Sequence, residues 1–121
     1  MAPHNYAPLA SFVDLLLDAV CVVDREGHYI YVSAAYERIF GYRPEEVIGK
    51  PMIELVAPED RENTLLAAEQ IMSGDPSLHF ENRYIRKDGQ IVHIMWSARW
   101  SEENQVRIAI AHDITRRKQA E

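Results

Sequence analysis

The segment FGYRPEEVIGK, residues 40–50, contains start and stop signals for two short helices. The residues before Gly41 favour a helix, and a glycine there can end it in the left-handed conformation. Pro44 suits the first turn of a second helix, where the two glutamates that follow would lie near the positive end of the helix dipole. Gly49 can end this second helix. The segment therefore predicts two short helices joined by a tight connection.

The residues on the N-terminal side of this segment predict a β-hairpin preceded by a helix. Two β-rich runs, residues 20–24 and 29–33, flank a turn that contains Gly27. Farther upstream, a proline and apolar residues at helical spacing predict a short amphipathic helix over residues 8–18. Residues 1–7 show no periodicity, so we expect a disordered tail there.

The residues on the C-terminal side begin with the longest predicted helix of the chain. Pro58 and the two acidic residues after it open this helix, which extends to about Ser73 before Gly74 ends it. The apolar residues expected on its buried face are Leu65, Ala68, Ile71 and Met72.

Three β-strands are predicted after this helix. Residues 79–86 alternate in polarity, and an Asp88-Gly89 turn joins them to a second strand at residues 91–100. The last strand covers residues 105–115, and its VRIAIA centre suits a central strand covered on both faces. Five strands in two groups, with helices between them, predict an α+β domain with one antiparallel sheet and the helices on a single face.

Composition restricts the class of protein. The chain has 121 residues, which suits one domain, and 47% hydrophobic with 26% charged residues is typical of a globular fold. It has no run long enough to span a bilayer, no recognisable secretory signal, and a single cysteine, Cys21. The net charge of −6 argues against a nucleic-acid surface. We expect a cytoplasmic domain without nucleic-acid binding or direct membrane insertion.

Five stretches in a fixed order carry a family resemblance. They are VDREG at 23–27, the segment at 40–50, PED at 58–60, RKDG at 86–89 and DITRRK at 113–118. Together they resemble a PAS domain of the S-box type, over residues 12–118. The resemblance implies a PAS domain at residues 8–115, with a five-stranded antiparallel sheet in the order 2-1-5-4-3. It also implies a ligand pocket between the sheet and the helices.

The resemblance implies regulation rather than catalysis. Such domains sense or relay signals in larger bacterial proteins, so the expected partner is a C-terminal effector, above all the kinase of a two-component sensor histidine kinase. The basic residues 116–121 are interpreted as the start of a signalling helix. No nucleophile motif or phosphate-binding loop stands out. Two alternatives stay open: a flavin- or haem-binding redox or gas sensor, and a ligand-free dimerisation module such as one of a diguanylate cyclase.

The candidate pocket residues come from several predicted elements. They are Val23, Phe40, Ile53, Leu65, Met72, Asn82, Tyr84, Ile94, Trp96 and Ile108. Asn82 is the most informative, because alternation with Phe80 and Tyr84 places it inside, where an unpaired amide costs about 1–3 kcal/mol. It must therefore bond to backbone, to water or to a ligand. The sequence therefore leaves open that the pocket binds a small molecule.

No cofactor is expected, although the residues leave a flavin open. Light-sensing PAS relatives need a cysteine just after the Ile-Gly segment, where this chain has KPMI at residues 50–53. Cys21, flanked by valines, is expected to be a buried hydrophobe. Haem-binding relatives use a histidine on the long helix, and residues 58–74 contain none. No histidine has metal-site spacing, but the inward aromatic and amide side chains can contact a non-covalent flavin.

The C-terminal exit is the expected signal relay. Asp113 and Thr115 can accept hydrogen bonds from N–H groups at the start of the following helix, which would fix the angle between strand and helix. A homodimer is also expected. Ile85, Ile91 and Met95 would lie on the outer face of the sheet, where the N-terminal helix or a second copy can cover them.

Overall fold

The computed structural model describes residues 12–13, 15–75 and 80–121. The strands are β1 (Ala19–Asp24), β2 (Tyr29–Val32), β3 (Phe80–Ile85), β4 (Ile91–Ser101) and β5 (Val106–Asp113). The helices are α1 (Ala35–Phe40), α2 (Pro44–Val47), α3 (Arg61–Met72) and α4 (Thr115–Ala120), with 3₁₀ turns at Met52–Leu55 and Pro58–Asp60.

The five strands form one antiparallel sheet in the order β2-β1-β5-β4-β3. The last strand, β5, lies in the centre with β1 and β4 on either side. This confirms the α+β class and the strand order that the family resemblance implies. The strand β5 therefore pairs with a neighbour on each side, and it leads directly into α4.

Glycines end both short helices, as the segment at 40–50 predicts. Gly41 follows α1 with φ of +84°, and its N–H donates to the carbonyl oxygen of Glu37 at 2.8 Å. Before α2, the N–H of Arg43 donates to the Glu46 carboxylate at 2.8 Å. Gly49, just beyond α2, has φ of +88°. These residues delimit α1 and α2, which lie in the chain between the two groups of strands.

The long helix differs from the prediction at its start and on its buried face. Residues 58–60 form a 3₁₀ turn, so α3 begins only at Arg61. Leu65, predicted to be buried, is 50% exposed. The residues of α3 that are buried are Thr64, Ala67, Ala68 and Ile71. They follow the i, i+3, i+4, i+7 spacing of one helical face, and Leu65 lies on the neighbouring stripe.

Some predictions fall outside the described residues. The tail at 1–7, residues 8–11 and 14 of the predicted helix and the start of the third strand at residue 79 lie there; residues 12–13 are helical. Residues 15–18, expected to be the last turn of the N-terminal helix, form a turn and bends instead. No helix in the described part of the chain is both long and apolar enough to cross a membrane.

An aromatic cluster packs α1 against the inner face of the sheet. The Phe40 ring stacks on Tyr36 with 4.3 Å between centroids, and it meets the Tyr84 ring edge-on at 5.0 Å. Trp96 of β4 lies 6.4 Å from the same ring. Such pairs add to the stabilisation that burial alone provides. The cluster therefore forms a rigid support beside the candidate site.

Candidate functional site

A small cavity of about 50 Å³ lies between α3 and the inner face of the sheet. Four of the predicted pocket residues line it: Val23, Asn82, Tyr84 and Trp96. Thr64, Ala67 and Ala68 line it from α3. The small side chains of the helix leave this space, because larger residues at these positions would fill it.

The other predicted pocket residues occupy different places. Phe40 and Ile94 are buried in the core without lining the cavity. Ile53, Leu65 and Met72 line a separate surface groove of about 240 Å³. The predicted set thus covers two neighbouring spaces rather than one pocket.

Arg107 faces inward, although the sequence does not predict it as a pocket residue. Ile108, predicted to line the pocket, points outward and is 43% exposed, whereas Arg107 and Ala109 are buried and line the cavity. Successive side chains of a strand alternate between its faces, so an error of one residue exchanges the two sets. The prediction that both faces of this strand are covered is wrong for the same position. Arg107 shares the inward parity of Ala109 and Ala111, which are both buried.

Asn82 is held by two protein side chains. Its Nδ2 donates to Thr64 Oγ1 at 3.0 Å, and its Oδ1 accepts from Trp96 Nε1 at 2.8 Å. The Thr64 hydroxyl in turn donates to the carbonyl oxygen of Asp60 at 2.7 Å. Asn82 is 5% exposed. The predicted partners, backbone, water or a ligand, are therefore wrong: two side chains hold the amide, which joins α3, β3 and β4 across the edge of the cavity.

The tyrosines beside the cavity form a neutral polar group. Tyr36 Oη donates to Tyr29 Oη at 3.0 Å, and Tyr84 Oη contacts the sulfur of Met52 at 3.7 Å. Burial raises the pKa of all three tyrosines above the ordinary value. They remain uncharged phenols, so they can hydrogen-bond but cannot neutralise a buried cation.

Cys21 is buried, as its valine neighbours indicate, and its side chain lines the cavity. Burial raises the pKa of its thiol, so the group is a neutral, weakly polar part of the wall. Among the described residues there is no cluster of three or more metal-binding side chains.

An ion pair connects the start of α3 to β3. Arg83 donates from Nη2 to Asp60 Oδ1 at 2.8 Å and from Nε to Oδ2 at 3.0 Å. These bonds lower the pKa of the Asp60 carboxyl from its usual value. The Asp60 carbonyl also accepts the Thr64 hydroxyl, so Asp60 connects the cavity wall to β3.

The exit to α4 is tied to β4 and β3. Asp113 Oδ1 accepts the Thr115 N–H at 2.9 Å, which is the bond that the sequence predicts. Thr115 departs from the prediction, because its Oγ1 accepts the N–H of His93 on β4 at 2.9 Å rather than a helix N–H. Lys118 of α4 pairs with Glu81 of β3 at 3.0 Å. The direction of α4 is therefore set by three contacts with the sheet.

The comparison with known families agrees with this architecture. A family model described as PAS fold matches residues 13–119. The chain belongs to the PAS family. A PAS domain from Colwellia psychrerythraea is 28% identical, with a TM-score of 0.78 over 90% of this chain and 96% of that one. A domain of a sensory box sensor histidine kinase/response regulator from Geobacter sulfurreducens has a TM-score of 0.76, with 23% identity over 88% and 91% of the chains.

A curated relative gives the protein context in which such a PAS domain occurs. The blue-light-activated histidine kinase of Brucella ovis is 32% identical over 98 residues, covering 74% of this PAS domain. The match spans only 18% of that kinase. This PAS domain is therefore similar to one part of a sensor histidine kinase.

Proposed function

We propose that this PAS domain is a cytoplasmic sensory and relay module that regulates a histidine kinase effector. The observation that carries the proposal is the course of β5. Arg107 and Ala109 of this strand line the cavity, and the same strand ends at Asp113, whose carboxylate holds the start of α4. A change of packing at the cavity can therefore shift the angle of α4 and bias an effector between two states.

The similarity to the Brucella ovis kinase supports the choice of effector. The regulatory part of the proposal rests on the geometry of the exit. Residues of α4 contact β3 and β4, and both of these strands also line the cavity. No catalytic step is assigned to these residues, since the cavity is lined by neutral and mainly apolar groups apart from Arg107.

A resident flavin or haem does not form part of the proposal. Ligand pockets usually have volumes of about 300–1,000 Å³, and the cavity of about 50 Å³ is far smaller. No histidine lines it among the described residues. The blue-light response of the Brucella ovis kinase is accordingly not extended to this chain.

The relay is tested with two aspartates whose carboxylates each accept a backbone N–H two residues later; Asp88 also pairs with Arg86 at 3.5 Å. Asp113→Ala removes the bond to the Thr115 N–H, and Asp88→Ala removes the bond to the Gln90 N–H in the β3–β4 turn, both 2.9 Å long. We expect Asp113→Ala to change kinase autophosphorylation in the full-length protein by at least about fivefold, the lower end of typical allosteric coupling. Asp88→Ala should leave it unchanged. Equal changes of autophosphorylation in the two variants would contradict the relay proposal.

We also propose that the PAS domain forms a homodimer through the outer face of the sheet. Ile91 and Ile108 lie on this face and are 42% and 43% exposed, while Ile85 and Met95 are half-buried. Ile108→Glu should shift the mass measured by light scattering from dimer to monomer, because it buries a charge at the interface. Ile48→Glu, at an equally exposed residue beyond α2, is the control. A monomeric wild-type chain at high concentration would contradict the proposal.

A further inference from the structure

Arg107 is a buried cation without a partner. Only 7% of its surface is exposed, and in the described part of the chain its guanidinium has no hydrogen bond or ion pair. It lies opposite Val23 on β1 and Trp100 on β4. By contrast, Arg83 pairs with Asp60, and Arg25 bonds to Gln105. Arg107 is thus the exception that needs a physical explanation.

The lack of a partner is costly for an arginine in particular. A guanidinium offers five N–H donors and stays charged at any physiological pH, so it cannot become neutral on burial. Burial nonetheless disfavours its charged form and lowers its pKa. The groups around it are the neutral Cys21, Tyr29 and Tyr84, none of which supplies a negative charge. An anion from outside the chain would satisfy these donors.

The position of Arg107 also gives it access to solvent. It lines both the cavity and the surface groove, together with Met52 and Ala68. The groove is mainly apolar, and its charged rim consists of Arg25, Glu26 and Glu69, none of which forms an ion pair with Arg107. A small molecule can therefore reach the guanidinium from the groove by displacing the flexible Met52 side chain.

We propose that Arg107 binds the carboxylate of a short-chain monocarboxylic acid whose apolar end occupies the cavity beside Ala67, Ala68 and Ile71. A planar carboxylate matches the guanidinium fork with two parallel hydrogen bonds. The apolar wall selects a singly charged acid over a phosphate dianion, whose second charge would be buried without a partner. The cavity of about 50 Å³ restricts the apolar end to a few carbon atoms.

Butyrate is the probe, and butyramide is its uncharged match. At about 100 times its dissociation constant, butyrate should raise the Tm of the wild-type chain by several degrees, because a ligand that binds only the folded state stabilises it. Butyramide, and sodium chloride at the same ionic strength, should leave the Tm unchanged. Equal shifts with butyrate and butyramide, or no saturable binding of butyrate by calorimetry, would overturn the inference.

Arg107→Met separates the anion site from a structural role. The variant should have a higher Tm than the wild type without butyrate, since it replaces an unpaired buried charge by an apolar chain. It should bind butyrate at least about tenfold more weakly, the loss expected for a charge-assisted hydrogen bond. Arg99→Met, at an exposed arginine of β4, should change neither quantity. Undiminished binding in Arg107→Met would refute the assignment.

Arg107→Lys provides a second reading if the methionine variant folds poorly. It keeps the charge but loses the bidentate fork, so its affinity for butyrate should lie below that of the wild type. Wild-type affinity in this variant would contradict the fork geometry. The inference rests on the proposed sensory function but is measured by binding to the 121-residue chain. If butyrate fails to bind while Asp113→Ala still changes kinase output, the anion site is refuted and the relay proposal stands. If butyrate binds while Asp113→Ala leaves kinase output unchanged, the relay is refuted and the anion site stands.

Discussion

Asn82→Leu is expected to lower the free energy of unfolding by about 3 kcal/mol, because it leaves buried polar groups without partners. The Trp96 indole N–H loses its acceptor at 2.8 Å, and Thr64 loses the donor at 3.0 Å. A leucine has the same branched arrangement of heavy atoms but cannot form either bond. The loss should appear in the ligand-free chain, since both partners of Asn82 belong to the protein. Chemical denaturation monitored by circular dichroism measures it.

A double-mutant cycle identifies the source of this loss. In a Trp96→Phe background the indole N–H is already absent, so Asn82→Leu should cost about 1–2 kcal/mol less than it does in the wild type. The cycle therefore isolates the Trp96–Asn82 bond from the change of shape. A loss below about 0.5 kcal/mol in the wild-type background would show that the amide is dispensable for folding and would return Asn82 to the role of a ligand contact.

The sequence placed Asn82 correctly on the inner face but could not name its partners. Alternation along β3 has a period of two, so one apolar neighbour on either side is enough to predict the face. Thr64 is 18 positions away, on a helix whose rotation depends on which stripe packs against the sheet. Leu65 and Ile71 both suit an apolar face, and only tertiary packing decided that Leu65 stays outside.

The inward face of β5 was predicted wrongly at Arg107 for a different reason. In the VRIAIA centre of β5 every residue except Arg107 is small or apolar, so hydrophobicity alone does not distinguish the two faces of the strand. Charged residues are rarely buried without a partner. This rule predicts Arg107 outside and Ile108 inside, which is the reverse of the structure. Sequence rules fail most often at positions under functional selection, and this is the position from which we infer an anion site.

The hairpin turns and the two short helices were predictable because turn residues act locally. Gly41, Gly49 and the Asp88-Gly89 turn each need a positive φ angle, and the structure has such an angle at all three glycines. The sheet order came from the family resemblance, since hairpin signals cannot show that the last strand inserts between β1 and β4. Local chemistry thus determined the turns, and the long-range order needed the comparison of whole motifs.

Gly41→Ala should lower the free energy of unfolding by about 3 kcal/mol, about twice the loss in Gly49→Ala, because it combines backbone strain with overpacking. Both glycines have φ near +85°, so an alanine at either site pays about 1–2 kcal/mol for the left-handed backbone. At Gly41 a Cβ would also lie 3.3 Å from the backbone nitrogen of Lys87, whose N–H donates to the Phe40 carbonyl at 3.1 Å. At Gly49 nothing lies within 4 Å.

The difference between the two alanine variants therefore measures the contact between the end of α1 and the β3–β4 turn. Because this turn carries backbone rather than a flexible side chain against Gly41, relief requires the hairpin to shift as a unit. Such a shift would move Tyr84 away from the Phe40 ring, which it meets at 5.0 Å. Thermal and urea unfolding of both variants, together with near-ultraviolet circular dichroism, test this expectation. Equal losses of unfolding free energy in Gly41→Ala and Gly49→Ala would contradict this expectation. They would mean that the hairpin moves away from the new Cβ without cost and that only the φ angle constrains residue 41.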